Sequence, residues 1–408
     1  MSLFLWAIFY LRHMAFKRYH FILLFPFVLF SCSEVRQDLS FIEIIVDGDI
    51  PWEEKKECIV RYSDFIGDTI QVNAKVKYRG GISSKYPKHS FRLELDKDVS
   101  IAGLKSDDDW ILNANYIDKT FMRHKLSYDI FRSMSTANKA PNCAFVKLGE
   151  NARNLGLYVL MEKVDKSFCS IGKDDVNAML FKGPPIFIED ELEFVQEPNN
   201  YYQQKYPKQS QKDNTQIMDS LKDFLFHASD QIFVEDVNKW FNVSSVIDWH
   251  LLLLFTNNHD GILKNFYLFK PSLEEGFEFI PWDYDHSFGR DGDGEKSKTH
   301  LCDPQRAVLV RRLVELSDSG TNYNQKLKAR YIELREIGVF SKAKFNKMLD
   351  ENDSRLKQHV ASNFDLWPIN SPHYFDDSSY QSEIQLMREF SSLRIEQLDE
   401  KFLYNKGR

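Results

Sequence analysis

Asp260 is followed five positions later by Asn265, and an apolar run then leads to a second acidic pair, Asp283 and Asp285, closed by Phe288-Gly289. One carboxylate to take or orient a hydroxyl proton, with an amide and a second carboxylate to hold Mg²⁺ against phosphates, is the set that phosphoryl transfer uses. Lys264, next to the Asn, carries a charge that could touch a transferred phosphate. Asp283 lies between Trp282 and Tyr284, and burying it there is costly unless a cation or a hydrogen-bond network compensates. Upstream, Arg79-Gly80-Gly81-Ile82-Ser83-Ser84-Lys85-Tyr86-Pro87-Lys88 combines a permissive backbone with hydroxyls and basic side chains. That composition suits phosphate oxygens, and equally a tight hairpin with solvated charges.

These groups lie far apart in sequence, so the elements between them must bring them together. Strand-like runs occur at 41–46, 57–62, 69–78, 90–95, 144–148 and 155–162. In Val72-Asn73-Ala74-Lys75-Val76-Lys77-Tyr78 the alternation puts Lys75 and Lys77 opposite an apolar face. Residues 118–133 have helical spacing, and Asp109, Trp110 and Asp118 read as a turn and its cap. A polar stretch at 197–216 is the boundary candidate, a linker or insertion. Beyond it helices are expected at 217–228, 234–241, 246–256, 306–316, 323–337, 341–364 and 383–402. The exceptions are strands at 265–270 and 277–282, joined by a turn. Pairing them would return Asp283 to the side of Asn265. The expected fold class is α+β, with a β-rich N-terminal part (33–196) and a mainly helical C-terminal part (217–408).

With 408 residues and 43% hydrophobic content the chain can bury a large core. Its net charge of −7 argues against nucleic acid as a partner. The five cysteines form no Cys-x-x-Cys pair, which argues against structural zinc. Lys17, Arg18 and His20 precede an apolar run at 21–30 that ends in Ser31-Cys32. Charge, length and the small residue before the break fit an export signal at 1–32, with Met14 an alternative start. Leu29-Phe30-Ser31-Cys32 resembles a lipobox, so Cys32 is the expected lipidation site. The expected location is extracytoplasmic, at the cell envelope or surface, with the membrane reached through the anchor. One or two disulfides among the other cysteines are compatible with that compartment.

The order and spacing of Asp260 and Asn265 are those of a protein-kinase catalytic loop, although the usual Arg before the Asp and a literal Asp-Phe-Gly are missing. Five segments in order resemble the CotH family, the spore coat protein H kinases. They are Arg79-Gly80-x-x-Ser83-Ser84-x-x-Pro87-Lys88, Asp109 to Asp118 with Arg123-x-Lys125, Gly156 to Asp165, Asp260 to Asn265, and Pro281 to Gly289. The resemblance implies an atypical protein-kinase-like two-lobe fold that uses ATP and Mg²⁺, with Mn²⁺ an alternative, to phosphorylate a protein substrate at the envelope. It implies that Asp260 is the catalytic base, that Asn265 and Asp283 are metal ligands, and that Asp285 helps them. Arg79, Ser83, Ser84 and Lys88 would cradle phosphates, and Glu162 would lie in a hinge near the adenine, where its backbone matters more than its carboxylate. Arg123 and Lys125 reach the phosphates or lie on a solvated helix face.

Two other classes remain open from the sequence. One is a non-catalytic surface adhesion or scaffold protein that keeps this fold. The other is a metal-dependent hydrolase, which would be expected to show more His ligands. Asp291-Gly292-Asp293-Gly294 lacks calcium-loop spacing, and Ser297 and Thr299 are positional candidates for autophosphorylation.

Overall fold

Alternating burial builds the first half of the chain. In the computed structural model, which describes residues 38–64, 66–188, 200–291, 295–372 and 374–404, seven strands close into a barrel. Cys32 and the leader lie outside the described residues. The barrel strands are β1 (Phe41–Ile45), β2 (Lys56–Ser63), β3 (Thr69–Arg79), β4 (Ser90–Val99), β5 (Asp107–Asn113), β6 (Cys143–Glu150) and β7 (Arg153–Glu162). Their order is β1-β2-β3-β4-β5-β7-β6, closed by a parallel pairing of β6 with β1 that leaves no free edge. Ile42, Val60, Val76, Leu93, Trp110, Leu148 and Leu160 fill the interior. Val72, Ala74 and Val76 point inward as their alternation requires. Strand β5 stands where a turn was expected at Asp109 and Trp110. The acidic run Asp107–Asp109 hides the strand, and Asp109 is neutralised there by Arg92 at 2.6 Å and Lys163 at 2.6 Å.

Helix α1 (Arg123–Met134) connects β5 to β6 and starts later than the expected 118. The N-cap position falls on Met122, not on Asp118 as expected; the Asp118 carboxylate, four residues earlier, still accepts from the amides of Thr120 at 3.0 Å and Arg123 at 3.1 Å.

A second sheet crosses the expected boundary. Its strands are β8 (Met179–Lys182), β9 (Gln204–Tyr206), β10 (Phe266–Lys270) and β11 (Glu278–Pro281), in the order β11-β10-β8-β9. The 197–216 stretch is therefore not a plain linker, because β9 belongs to it and pairs with β8. Between β9 and β10 come α2 (Thr215–His227), α3 (Asp230–Trp240) and α4 (Val243–Thr256). Trp249 to Phe255, apart from His250, are apolar and buried all round, so α4 is the central helix of this half. After α5 (Val308–Glu315), α6 (Tyr323–Glu336) and later α9 (Tyr380–Asp399) pack against it.

A short hairpin, Arg290–Asp291 with Glu295–Lys296, follows the second acidic cluster. The helix expected over 341–364 is two, α7 (Lys342–Leu356) and α8 (Val360–Leu366). The break aims Asn363 of α8 at the barrel, where its Oδ1 accepts from the Leu157 amide at 3.0 Å and from Lys88 Nζ at 3.0 Å. Gly156 (φ +80°) permits this, since a Cβ there would lie 2.6 Å from that same oxygen.

The fold is thus α+β, β-rich before about residue 206 and mainly helical after it. The four described cysteines, Cys58, Cys143, Cys169 and Cys302, are buried free thiols, so the disulfides entertained from sequence do not form among them. Among the described residues no helix is long and apolar enough to cross a membrane.

Candidate active site

Asn257, left-handed at φ 60°, ends α4 and turns the chain toward a cleft of about 280 Å³ beside the barrel. The Asp260 carbonyl accepts from the amides of Lys264 at 3.0 Å and Asn265 at 3.1 Å, closing a tight turn. Gly261 fits this turn against α4, because a Cβ would lie 2.7 Å from Leu253 and 3.2 Å from the Tyr284 hydroxyl. Strands β10 and β11 then run out and back, with Phe266 opposite Pro281. Asn265 Nδ2 donates to the Asp283 carbonyl at 2.9 Å, and the Trp282 amide donates to the Asn265 carbonyl at 3.1 Å. The expected hairpin therefore does bring Asp260, Asn265, Asp283 and Asp285 to one cleft.

Asp283 is left-handed at φ 58°, a conformation that Asp tolerates better than most residues. Helix α1 holds it from below. The Asp283 amide donates to the Tyr128 hydroxyl at 3.0 Å, and its Oδ1 lies 3.1 Å from Nε2 of the buried His124. The Asp283 side chain is half-exposed to the cleft, not buried between Trp282 and Tyr284 as the sequence suggested, and its partial removal from bulk water opposes ionisation. The His124 hydrogen bond and the charges of His124, Lys182 and Arg79 outweigh it and hold the carboxyl well below the usual range. Asp285 shifts the other way, raised by enclosure and then by the charge of Asp283. Burial also opposes protonation of His124, but Asp283 and Asp285 outweigh it and raise that group.

Positive charge stands close to this cluster. The Arg79 guanidinium and Lys182 Nζ each lie 5.9 Å from the centroid of the Trp282 indole. Gly80 (φ +142°) bends the loop back on itself, since a Cβ would collide with Ser83 Oγ. Ser83 lines the cleft with Gly80 and Gly81. Ser84 instead turns its hydroxyl to the Gly81 carbonyl at 2.7 Å. Asp260 and Lys264 form a half-exposed ion pair at 3.1 Å on the cleft rim.

Four residues expected at a nucleotide have their side chains committed to other partners. Arg123 is fully buried, bound to Asp118 at 2.6 Å, Glu383 at 2.9 Å and the Ser287 carbonyl at 2.9 Å, and is absent from the cleft wall. Its helix neighbour Lys125 pairs with Asp129 at 2.6 Å. Glu162 accepts from the Asn142 amide at 2.8 Å and its Nδ2 at 2.9 Å in a separate depression, while strand alternation gives the cleft Met161 instead. Lys88 borders the cleft, but its amino group binds the Leu157 carbonyl and Asn363, and burial pushes its pKa well below the usual lysine value.

Two residues were missed from sequence. His124 lies between Arg123 and Lys125 and looks like part of a basic helix face, whereas as the second residue of α1 it is buried. Lys182 ends the unexpected strand β8, and the apolar run Met179-Leu180-Phe181 before Lys182-Gly183 was its available signal. Asp283, Asp285 and His124 offer donor atoms that all lie within 4.8 Å of one another, a fit for a divalent cation. A larger hollow of about 820 Å³, bordered by Asp248, Arg330 and Glu278, holds none of these groups.

A family profile described as CotH kinase protein matches residues 76–398. Inner spore coat protein H of Bacillus subtilis (strain 168) is 27% identical over 279 residues, covering 65% of this chain and 74% of that protein. The solved complex of the Shewanella oneidensis MR-1 toxin–antitoxin proteins HipA and HipB with operator DNA aligns at 14% identity and a TM-score of 0.32, covering 75% of this chain. The chain spans 60% of the length of that structure.

Proposed function

Because the chain belongs to the CotH kinase protein family, we propose that it is an ATP-dependent protein kinase with a two-lobe, kinase-like division of labour. The barrel side supplies phosphate contacts and the helical side supplies the base and metal ligands. One observation carries this reading: the β10–β11 hairpin sets Asp283 beside Asn265, five residues after Asp260, in a cleft also lined by Arg79 of the barrel and by Lys182 of the hairpin's own sheet. A divalent ion held by Asp283, Asp285 and Asn265 supplies neutralisation of phosphate charge.

The chain's own residues do the rest. Asp260 accepts the proton of a substrate Ser or Thr hydroxyl as that oxygen bonds to the γ-phosphorus. The bond from the γ-phosphorus to the bridging oxygen breaks, and ADP leaves with the electron pair. Lys264 holds Asp260 in place and stands near the transferred group. Arg79, Lys182 and the Gly80–Ser83 backbone orient the phosphates. The apolar run at 21–30 that ends in Ser31-Cys32 supports locating this activity at the envelope on a lipid anchor, acting on surface proteins.

The scaffold reading is favoured by the coat-protein name of the relative. It gives no reason for three ionisable groups to converge on one cleft.

The purified protein is incubated with ATP and Mg²⁺ or Mn²⁺ and compared with Asp260→Asn and Asp283→Asn by phosphosite mass spectrometry. The expected loss for Asp260→Asn is about 10²–10⁴-fold in rate. A wild type that neither binds nucleotide nor transfers phosphate ends the kinase reading, and transfer that survives both substitutions ends the residue assignment.

A further inference from the structure

We propose that His124 is a direct nitrogen ligand to the divalent ion of this cleft, alongside Asp283 and Asp285, and that it selects Mn²⁺ over Mg²⁺. The inference deepens the kinase reading and rests on it for the ion's use in phosphoryl transfer. The binding of the ion itself can be tested separately.

The geometry comes first. His124 Nε2 and Asp283 Oδ1 are 3.1 Å apart. Two neighbouring ligands on an octahedral ion at about 2.1 Å lie about 3 Å from each other. An ion inserted between them therefore needs little movement of either group. Asp285 completes a face of three donors within 4.8 Å.

Rigidity comes second. His124 is 2% exposed and sits in the first turn of α1, one residue after Arg123, which Asp118, Glu383 and the Ser287 carbonyl all hold. The ring also meets Tyr128 edge-on, at 6.0 Å between centroids. A ligand fixed in this way loses little freedom on binding a metal.

The chemistry of the donors then decides the ion. Carboxylates accept Mg²⁺, Ca²⁺ and Mn²⁺, whereas imidazole favours first-row transition ions. Mg²⁺ takes oxygen ligands and keeps much of its water. A site of one imidazole and two carboxylates suits Mn²⁺ better. The alternative role for His124 is that of a positioning residue, hydrogen-bonded to Asp283 and never touching the ion.

The test uses the full-length protein carrying ¹⁵N-histidine, loaded with Mn²⁺ alone and examined by pulsed electron paramagnetic resonance. A ¹⁵N coupling is expected in the wild type and in His286→Gln, and is expected to vanish in His124→Gln. Competition of Mg²⁺ against bound Mn²⁺ is measured in parallel. The preference for Mn²⁺ should fall in His124→Gln by at least the about tenfold typical of losing a supporting group at a metal site. Bound Mn²⁺ without ¹⁵N coupling, or a coupling that disappears in His286→Gln instead, overturns the proposal. Should His124→Gln fail to fold by circular dichroism, the labelled wild type and His286→Gln still decide it. Nitrogen-bound Mn²⁺ in a protein that transfers no phosphate would refute the kinase reading alone. Phosphate transfer with no nitrogen coupling would refute only the role of His124.

Discussion

The amide of Asp283 donates to the hydroxyl of Tyr128 at 3.0 Å, so a fully buried tyrosine on α1 holds an acidic residue of left-handed backbone at the far end of the β10–β11 hairpin. Two segments from different halves of the chain thus share the positioning of one carboxylate.

Removing that hydroxyl should loosen the carboxylate without removing it. Tyr128→Phe leaves the Asp283 amide without its partner, at a cost of about 1–3 kcal/mol. Small misplacements in a site of this kind cost up to about 10²-fold in rate. The expected result is a fall in kcat of about tenfold or more, with the protein still folded. Steady-state kinetics beside urea denaturation checks it, and an unchanged kcat would show that the bond does not position Asp283.

The buried Asp118–Arg123–Glu383 group makes a prediction about acid. Burial opposes ionisation of Asp118, but the charge and hydrogen bonds of Arg123, with those of Thr120, outweigh it and lower its pKa. Glu383 is lowered in the same way. A carboxyl with a folded pKa below its unfolded value stabilises the fold above the unfolded value, near 3.8 for Asp, and loses that contribution as pH falls toward the folded one. Asp118→Asn should therefore cost about 3–5 kcal/mol at neutral pH. The gap to wild type should narrow as pH drops below 4. Equal gaps in denaturation at pH 7 and pH 3 would show that the pairing does not depend on ionisation.

Lys88 and Asn363 should behave as one unit. Both meet the Leu157 peptide and each other, so Lys88→Met and Asn363→Ala remove parts of the same contact. A double-mutant cycle should show a coupling of about 0.5–3 kcal/mol in stability. The Michaelis constant for ATP should change little in Lys88→Met. Additive stabilities with a large rise in that constant would return Lys88 to the phosphate-binding group.

The anchor is a proposal from sequence. Cys32→Ser should abolish incorporation of labelled fatty acid and release the protein from membranes. Labelling that persists in the variant would refute the lipobox.

Much of the fold could be read in advance, for reasons that also explain the failures. Strands with strict alternation, such as Val72–Tyr78, and the apolar pair around the 271–276 turn announce themselves. Strand β5 does not, because it opens on three aspartates, of which Asp109 is neutralised by Arg92 of β4 and by Lys163 just beyond β7, partners that local pattern cannot show. Strand β8 is only four residues long and takes its partners from far along the chain. At the site, Asp260, Asn265 and Asp283 were legible because hairpin pairing fixes where they meet. Arg123, His124 and Lys125 were not, since three consecutive basic-looking residues on a helix point in three directions. One goes to a buried acid pair, one to Asp283 and one to a neighbouring side chain.

The pairing of β8 with β10 also orders events as the chain is made. The barrel strands leave the ribosome together and can close on one another at once. Strand β8 leaves soon afterwards and β9 can pair one of its edges, but the other edge has no strand partner until Phe266–Lys270 has been synthesised, after α2, α3 and α4. That interval is when a nascent chain would most need a chaperone or an export factor to shield an apolar strand edge.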